Sequence, residues 1–235
     1  MNIMMFETEV KQIIKRTYNV KSFRFNRSQS FNYKAGQFMF LTLNIKGEEA
    51  KKPFSISSSP TEKEFIEFTK KLTGHEFSNA LESLEVGDRV KIDAPYGNFI
   101  FEGQYDGIVL LSGGIGITPL RSICRYCSDL KLATKITLIY GNHTEADIAF
   151  REELGEMQQK NPNLKVILTL DEPKEKWVGY KGVITGEMVN KEVPDYLNRV
   201  FYICGPSIMV NAMEDLLLKL NVDSTKIKKE SFQGY

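Results

Sequence analysis

Three cysteines in 235 residues are too few for a disulfide framework, and they cannot supply the four thiolates of an iron–sulfur cluster. No stretch approaches the roughly 20 apolar residues that cross a bilayer. The opening MNIMMFETEV has acidic residues where a secretory signal would have a basic region and a long apolar core. A cytoplasmic location without membrane insertion is therefore expected. Charge of one sign is also missing: the net charge is +1, which gives no support to nucleic-acid or membrane-surface binding. Cys124 and Cys127 fall on the apolar face of an expected helix with no second ligand pair, so core packing is expected there and no metal site. What remains is an ordinary globular composition, 42% hydrophobic and 26% charged, long enough for one large domain or two small ones.

The chain is organised around LLSGGIGITPL, residues 110–120. The apolar run 108–111 has no polar alternation and predicts a strand buried on both faces. Gly113, Gly114 and Gly116 follow, giving a sharp turn and bare N–H groups that a ligand can approach. Thr118 suits a helix N-cap and Pro119 the first helical position. Strand, glycine turn and helix start together make a seat for a phosphate group.

Before this stretch the pattern is short strands broken by polar turns, with strands expected at 20–25, 38–45, 65–68 and 89–92 and one helix at 75–84. A small antiparallel barrel or sandwich over 1–103 accounts for that pattern. Two polar stretches stand out inside it. In KKPFSISSSP, residues 51–60, Lys52 offers a point charge, Phe54 a stacking face, and Ser55, Ser57, Ser58 and Ser59 hydroxyls. In KLTGHEFSNAL, residues 71–81, Gly74 precedes the helix and Ser78 lies in its first turn.

From residue 104 onward strands alternate with helices. Strands are expected at 108–111, 136–140, 164–170 and 199–203, with a helix opened by Thr144 and capped by Asp147, another after Cys204-Gly205-Pro206, and a basic turn from Lys226 to Lys229. Such alternation implies a Rossmann-like parallel sheet whose ligands sit beyond the strands' carboxyl ends, where Gly113 and Gly205 fall. The usual dinucleotide fingerprint is incomplete. Pro119 stands where the third glycine would be, and Asn142 and His143 stand where an acidic residue would hold a ribose.

Taken together, these motifs resemble the ferredoxin–NADP reductase superfamily over nearly the whole chain. The resemblance implies a Greek-key flavin-binding antiparallel barrel followed by a nucleotide-binding α/β domain, with FAD as cofactor and NADH or NADPH as co-substrate. Lys52-Pro53-Phe54-Ser55 is similar to the family's Arg-x-Tyr-Ser flavin motif, which makes Lys52 the phosphate partner, Phe54 the stacking ring and Ser55 the hydroxyl near flavin N5. Gly74 and Ser78 resemble its second phosphate motif, and residues 57–59 suit the second phosphate of FAD. Residues 113–119 match the pyridine-nucleotide loop; Cys204, Gly205, Pro206 and Met209 match the motif beside the nicotinamide. Thr118, Cys204 and Glu230 are placed near the nicotinamide by the same resemblance, His143 near the 2′ position of the adenosine ribose, and Phe232 or Tyr235 over the flavin. Lys for Arg keeps the charge without bidentate geometry, and Phe for Tyr keeps the face without the hydroxyl.

The expected function is an NAD(P)H-dependent flavoprotein reductase passing electrons to an external electron-carrier protein, a ferredoxin, flavodoxin or oxygenase component. A free-flavin reductase and an electron-transfer subunit of a larger complex are the alternatives. A preference for NADH is expected, because His143 stands where NADPH-using relatives carry arginine.

Overall fold

A computed structural model describes residues 3–232. Its first sheet contains β1 (Met4–Lys15), β2 (Val20–Asn26), β3 (Phe38–Ile45), β4 (Glu48–Ser55), β5 (Phe65–Lys71) and β6 (Arg89–Tyr96), with helix α1 (Glu76–Glu82) between the last two. The strands are antiparallel in the order β4-β3-β6-β1-β2-β5, so the return of β6 between β3 and β1 makes a Greek key. The outer strands meet through an Ile56–Phe68 bridge, and the Ser57 N–H donates to the Glu67 carbonyl at 2.8 Å. Phe23, Phe25, Met39, Leu41, Phe68 and Ile92 fill the interior. Two strands are additions to the sequence reading. In β1 Glu7, Glu9 and Lys11 alternate outward against Phe6, Thr8 and Val10. The polar stretch beginning at Lys51 is the end of β4, and its Pro53 is tolerated because β4 lies at the edge of the sheet.

The second sheet is parallel, in the order β10-β9-β8-β7-β11-β12, built from β7 (Gly107–Gly113), β8 (Lys135–Asn142), β9 (Leu164–Leu170), β10 (Tyr180–Lys181), β11 (Val200–Pro206) and β12 (Ile227–Phe232). Helices α2 (Ile117–Asp129) and α3 (Arg151–Lys160) cover one face, where Leu110, Leu138 and Tyr202 meet Leu120, Ile123, Cys124 and Cys127. Helices α4 (Gly186–Glu192) and α5 (Ser207–Lys219) cover the other, where Val109, Leu111 and Ile203 meet Val189, Val210 and Leu217. Strand order reverses between β7 and β11, and ligands of open parallel sheets bind at such a point. Among the described residues no helix is long and apolar enough to cross a membrane.

Three local expectations are corrected. Thr118 does not cap α2: a 3-10 turn, Gly114–Gly116, leads directly into it, and the Thr118 hydroxyl donates to the Ile115 carbonyl at 3.1 Å. The Thr144–Asp147 capping box opens only a 3-10 turn, and α3 starts later, at Arg151. The basic segment 226–229 is not a turn throughout, because β12 begins at Ile227 and pairs in register with β11.

Candidate functional site

A cleft of about 650 Å³ opens where the two sheets meet. From the barrel come Lys52, Pro53, Phe54, Ser55, Thr69, Lys70, Thr73, Phe77 and Ser78; from the α/β half come Ile115, Thr118, Glu230 and Phe232. Local pairing explains the convergence. Strand β4 ends at Ser55, the turn after β7 delivers Ile115 and Thr118, and β12 pairs Glu230 with Cys204 and Phe232 with Pro206. At the junction the Ser55 hydroxyl donates to Glu230 Oε1 at 2.8 Å. Burial pushes the Glu230 carboxyl above its ordinary range, and the bond from Ser55 offsets part of that. Burial also raises the Cys204 thiol, helped by the neighbouring Glu230 carboxylate, so Cys204 is a buried neutral thiol behind the cleft and not a thiolate nucleophile.

The barrel wall has the shape and chemistry that a flavin needs. Phe54 is held against Phe68, with ring centroids 4.5 Å apart, and against Phe77 at 5.8 Å, which fixes the plane of its ring. The Ser55 hydroxyl and the cations of Lys52 and Lys70 surround that apolar wall, while the Thr69 hydroxyl is taken up by the buried hydroxyls of Ser22 at 2.7 Å and Ser57 at 2.9 Å. The buried Ser78 hydroxyl accepts from the Thr73 N–H at 2.9 Å and so fixes the bend at Gly74. Ser57 and Ser58 depart from expectation. Both are fully buried outside the cleft: Ser57 Oγ donates to Glu67 Oε1 at 2.9 Å, and Ser58 Oγ pairs with the Tyr33 hydroxyl at 2.8 Å. Past Ser55 the chain turns inward at Ile56, so these hydroxyls serve the interior and not a phosphate.

Behind Thr118 the turns after β7 and β11 pack against each other. A Cβ on Gly116 would lie 2.1 Å from the Cys204 carbonyl oxygen, so only glycine fits there. Gly114 has φ +52° and open space on its Cβ side, and its carbonyl accepts from the Tyr140 hydroxyl at 2.9 Å, which presents bare backbone at the strand end. Met209 packs its sulfur over Gly113 and Gly205 beside Pro206. Pro119 is buried in the first turn of α2 and does not face the cleft. His143 stands apart, exposed at the end of β8, with Asp171 Oδ2 at 3.9 Å from Nδ1 and Glu172 Oε2 at 3.5 Å from Nε2. These carboxylates come from the loop after β9. Acidic character that the sequence lacks at the end of β8 is thus supplied from the next strand. Tyr235 lies outside the described residues.

Sequence reasoning missed Phe38, Thr69 and Lys70 as lining residues. A signal was present: Lys70 follows Ile66 and Phe68 at a spacing of two along β5, in the phase that faces the interior. Burial lowers its ammonium to about 8.

An antiparallel half-barrel that shares a cleft with the switch point of a parallel sheet defines a two-domain flavin and pyridine-nucleotide protein. Comparison with known proteins agrees. Residues 7–101 match an oxidoreductase FAD-binding domain and residues 110–215 an oxidoreductase NAD-binding domain. The chain is 33% identical over 229 residues to the glycine betaine monooxygenase reductase subunit of Chromohalobacter salexigens, covering 94% of this chain and 62% of that protein. It is 30% identical over 199 residues to NADH-cytochrome b5 reductase 1 of Debaryomyces hansenii, covering 81% of this chain and 69% of that one. The fold matches a ferredoxin NADP+ reductase from Neisseria gonorrhoeae, crystallised with FAD and NADP, at a TM-score of 0.83 and 19% identity over 97% of this chain and 98% of that one. The chain belongs to the ferredoxin–NADP reductase superfamily, with an FAD-binding domain followed by an NAD-binding domain. It spans less than two thirds of the length of the glycine betaine monooxygenase reductase subunits it matches.

Proposed function

We propose that this chain takes hydride from NADH onto FAD and passes the electrons to a separate carrier protein or oxygenase component in the cytoplasm. The barrel, 1–103, holds FAD and the α/β half, 104–235, the nucleotide. Bound FAD accepts two electrons as hydride and can release them one at a time, which nicotinamide cannot do. The chain's own task is positional. Phe54 sets the plane of the flavin ring, Lys52 and Lys70 supply positive charge for its phosphates, and Ser55 places a hydroxyl at the reacting edge. Thr118, the bare turn at Gly114 and the Cys204-Gly205 turn receive the nicotinamide end. Phe232 covers the same cleft and yields when the nicotinamide enters. The observation that carries this reading is the 2.8 Å bond from Ser55 to Glu230, which joins the end of the flavin motif to the nucleotide half inside one cleft.

One observation favours a second reading, in which flavin is a substrate that leaves. Ser57 and Ser58 are turned away from the cleft, and Lys52 cannot grip a phosphate bidentately, so the phosphate end has fewer ligands. Gel filtration separates the two. Protein reconstituted with FAD emerges yellow and then reduces ferricyanide with NADH if the first reading holds. Colourless protein that turns over NADH only with added flavin supports the second.

A further inference from the structure

The ion cluster between the two halves lies outside the cleft, and the function proposed above does not use it. Arg121 lies three residues beyond Thr118, on α2, with its side chain 1% exposed. Its Nη1 donates to the Ser57 carbonyl at 3.0 Å and its Nη2 to Glu62 Oε1 at 3.0 Å; Nη1 also pairs with Glu62 Oε2, and Nη2 with Glu153. The next residue, Ser122, donates from Oγ to the Ser58 carbonyl at 2.6 Å. Two consecutive residues of α2 thus bond to two consecutive carbonyls of the barrel segment that runs on from Ser55.

The cluster extends on both sides. Arg16 reaches Glu67 at 3.1 Å and Glu153 at 3.6 Å, and Arg24 reaches Glu67 at 2.7 Å. Three guanidinium groups therefore meet three carboxylates, those of Glu62, Glu67 and Glu153. Phe150 packs its ring 4.6 Å from the Arg16 guanidinium carbon and 5.8 Å from that of Arg121. Burying so many charges is weak evidence for stability, because desolvation offsets most of the attraction. What a planar, forked guanidinium supplies is geometry.

We propose that Arg121, supported by Ser122, is a positioning residue that fixes the distance between the flavin segment 52–55 and the nucleotide turn 113–118. This rests on the reductase reading above. Arg121 and Ser122 are buried and neither lines the cleft, which sets them off from the proposed flavin and nucleotide surface. Both act through Ser57 and Ser58 on the strand end that carries Ser55. Errors in such a distance matter, since a misplacement of about 1 Å can slow a transfer step about a hundredfold.

Two readouts test the inference. In the cofactor-free chain, nitroxides on Val86→Cys and Val183→Cys, both exposed and one in each half, report the interdomain distance by electron resonance; the native cysteines are all buried. A narrow distribution is expected, with a broader or shifted one in Arg121→Gln and partial return in Arg121→Lys. In the FAD-loaded chain, Arg121→Gln should lower the limiting rate of flavin reduction by NADH about tenfold or more, while the dissociation constant for NADH stays within about twofold. An unshifted distribution together with an unchanged limiting rate overturns the inference. So does weakened NADH binding at an unchanged rate, which would make Arg121 a nucleotide-binding residue. If Arg121→Gln does not fold, Ser122→Ala removes one hydrogen bond without stranding a charge and must show the same changes to a lesser degree. Should NADH fail to reduce the flavin at all, the proposed function falls while the distance measurement still decides the positioning role.

Discussion

Ser55 and Glu230, separated by 175 residues of chain, meet at 2.8 Å, with the hydroxyl donating to the carboxylate. Ser55 ends the flavin strand of the barrel, and Glu230 stands in register with Cys204 on the last two strands of the parallel sheet. The contact therefore reports the relative placement of both halves at the point where a hydride would cross.

Ser55→Ala is expected to retain flavin and to lower the rate of its reduction by NADH about a hundredfold, the usual scale for losing one oriented donor at a reacting centre. Because burial holds the Glu230 carboxyl above the ordinary carboxylate value of 4.5, the rate should follow an ionisation displaced upward from that value. Glu230→Gln should abolish that ionisation. Rates measured across pH for the three proteins check both statements.

Phe54→Ala should weaken flavin retention about tenfold, since it removes both a stacking face, of order 0.5–1.5 kcal/mol, and buried apolar surface. Phe54→Tyr keeps the ring and should retain flavin at least as well. Fluorescence titration of the cofactor-free variants measures the difference. Equal affinity for Ala and Phe at this position would remove Phe54 from the flavin site.

Lys70 should give flavin binding a pH dependence. Its ammonium, lowered by burial to about 8, is charged below that pH and neutral above it. Attraction for the cofactor's phosphates is therefore complete below about pH 8 and falls as pH rises through that value. The dissociation constant for FAD should rise between pH 7 and 9, roughly the unit on either side of that ionisation, and Lys70→Met should flatten the profile.

NADH should be preferred to NADPH. A 2′-phosphate beside His143 would face the Asp171 and Glu172 carboxylates, with a histidine in place of a bidentate arginine, a difference of order 1–3 kcal/mol, or about tenfold to a hundredfold in kcat/KM. Asp171→Ser with His143→Arg should narrow or reverse the ratio. A clear NADPH preference in the unaltered chain would show that another group binds the phosphate.

Much of this architecture was legible because apolar patterning and turn chemistry agreed. Strands at 38–45 and 164–170 fall where alternation or apolar runs are bounded by turns, and they match β3 and β9 residue for residue. The strands missed or misread are largely edge strands. β4 turns Glu48, Glu49, Lys51 and Lys52 to solvent and so reads as a polar loop, while β12 reads as a basic turn. In the site, Phe54, Ser55, Thr118 and Glu230 converge, since motif order along the chain is enough to place them. Ser57 and Ser58 do not join them, because the direction of a side chain after Ile56 depends on barrel closure, a long-range fact. The ion cluster around Arg121 was equally invisible, its partners being scattered from Arg16 to Glu153.

Anaerobic mixing of the FAD-reconstituted chain with one equivalent of NADH bears most directly on the proposed hydride transfer. Full bleaching of the flavin absorbance in a single turnover is expected, followed by recovery of the oxidised spectrum when a one-electron acceptor is added. Flavin that stays bound and oxidised with NADH, and equally with NADPH, would contradict a reductase and leave a binding protein in its place.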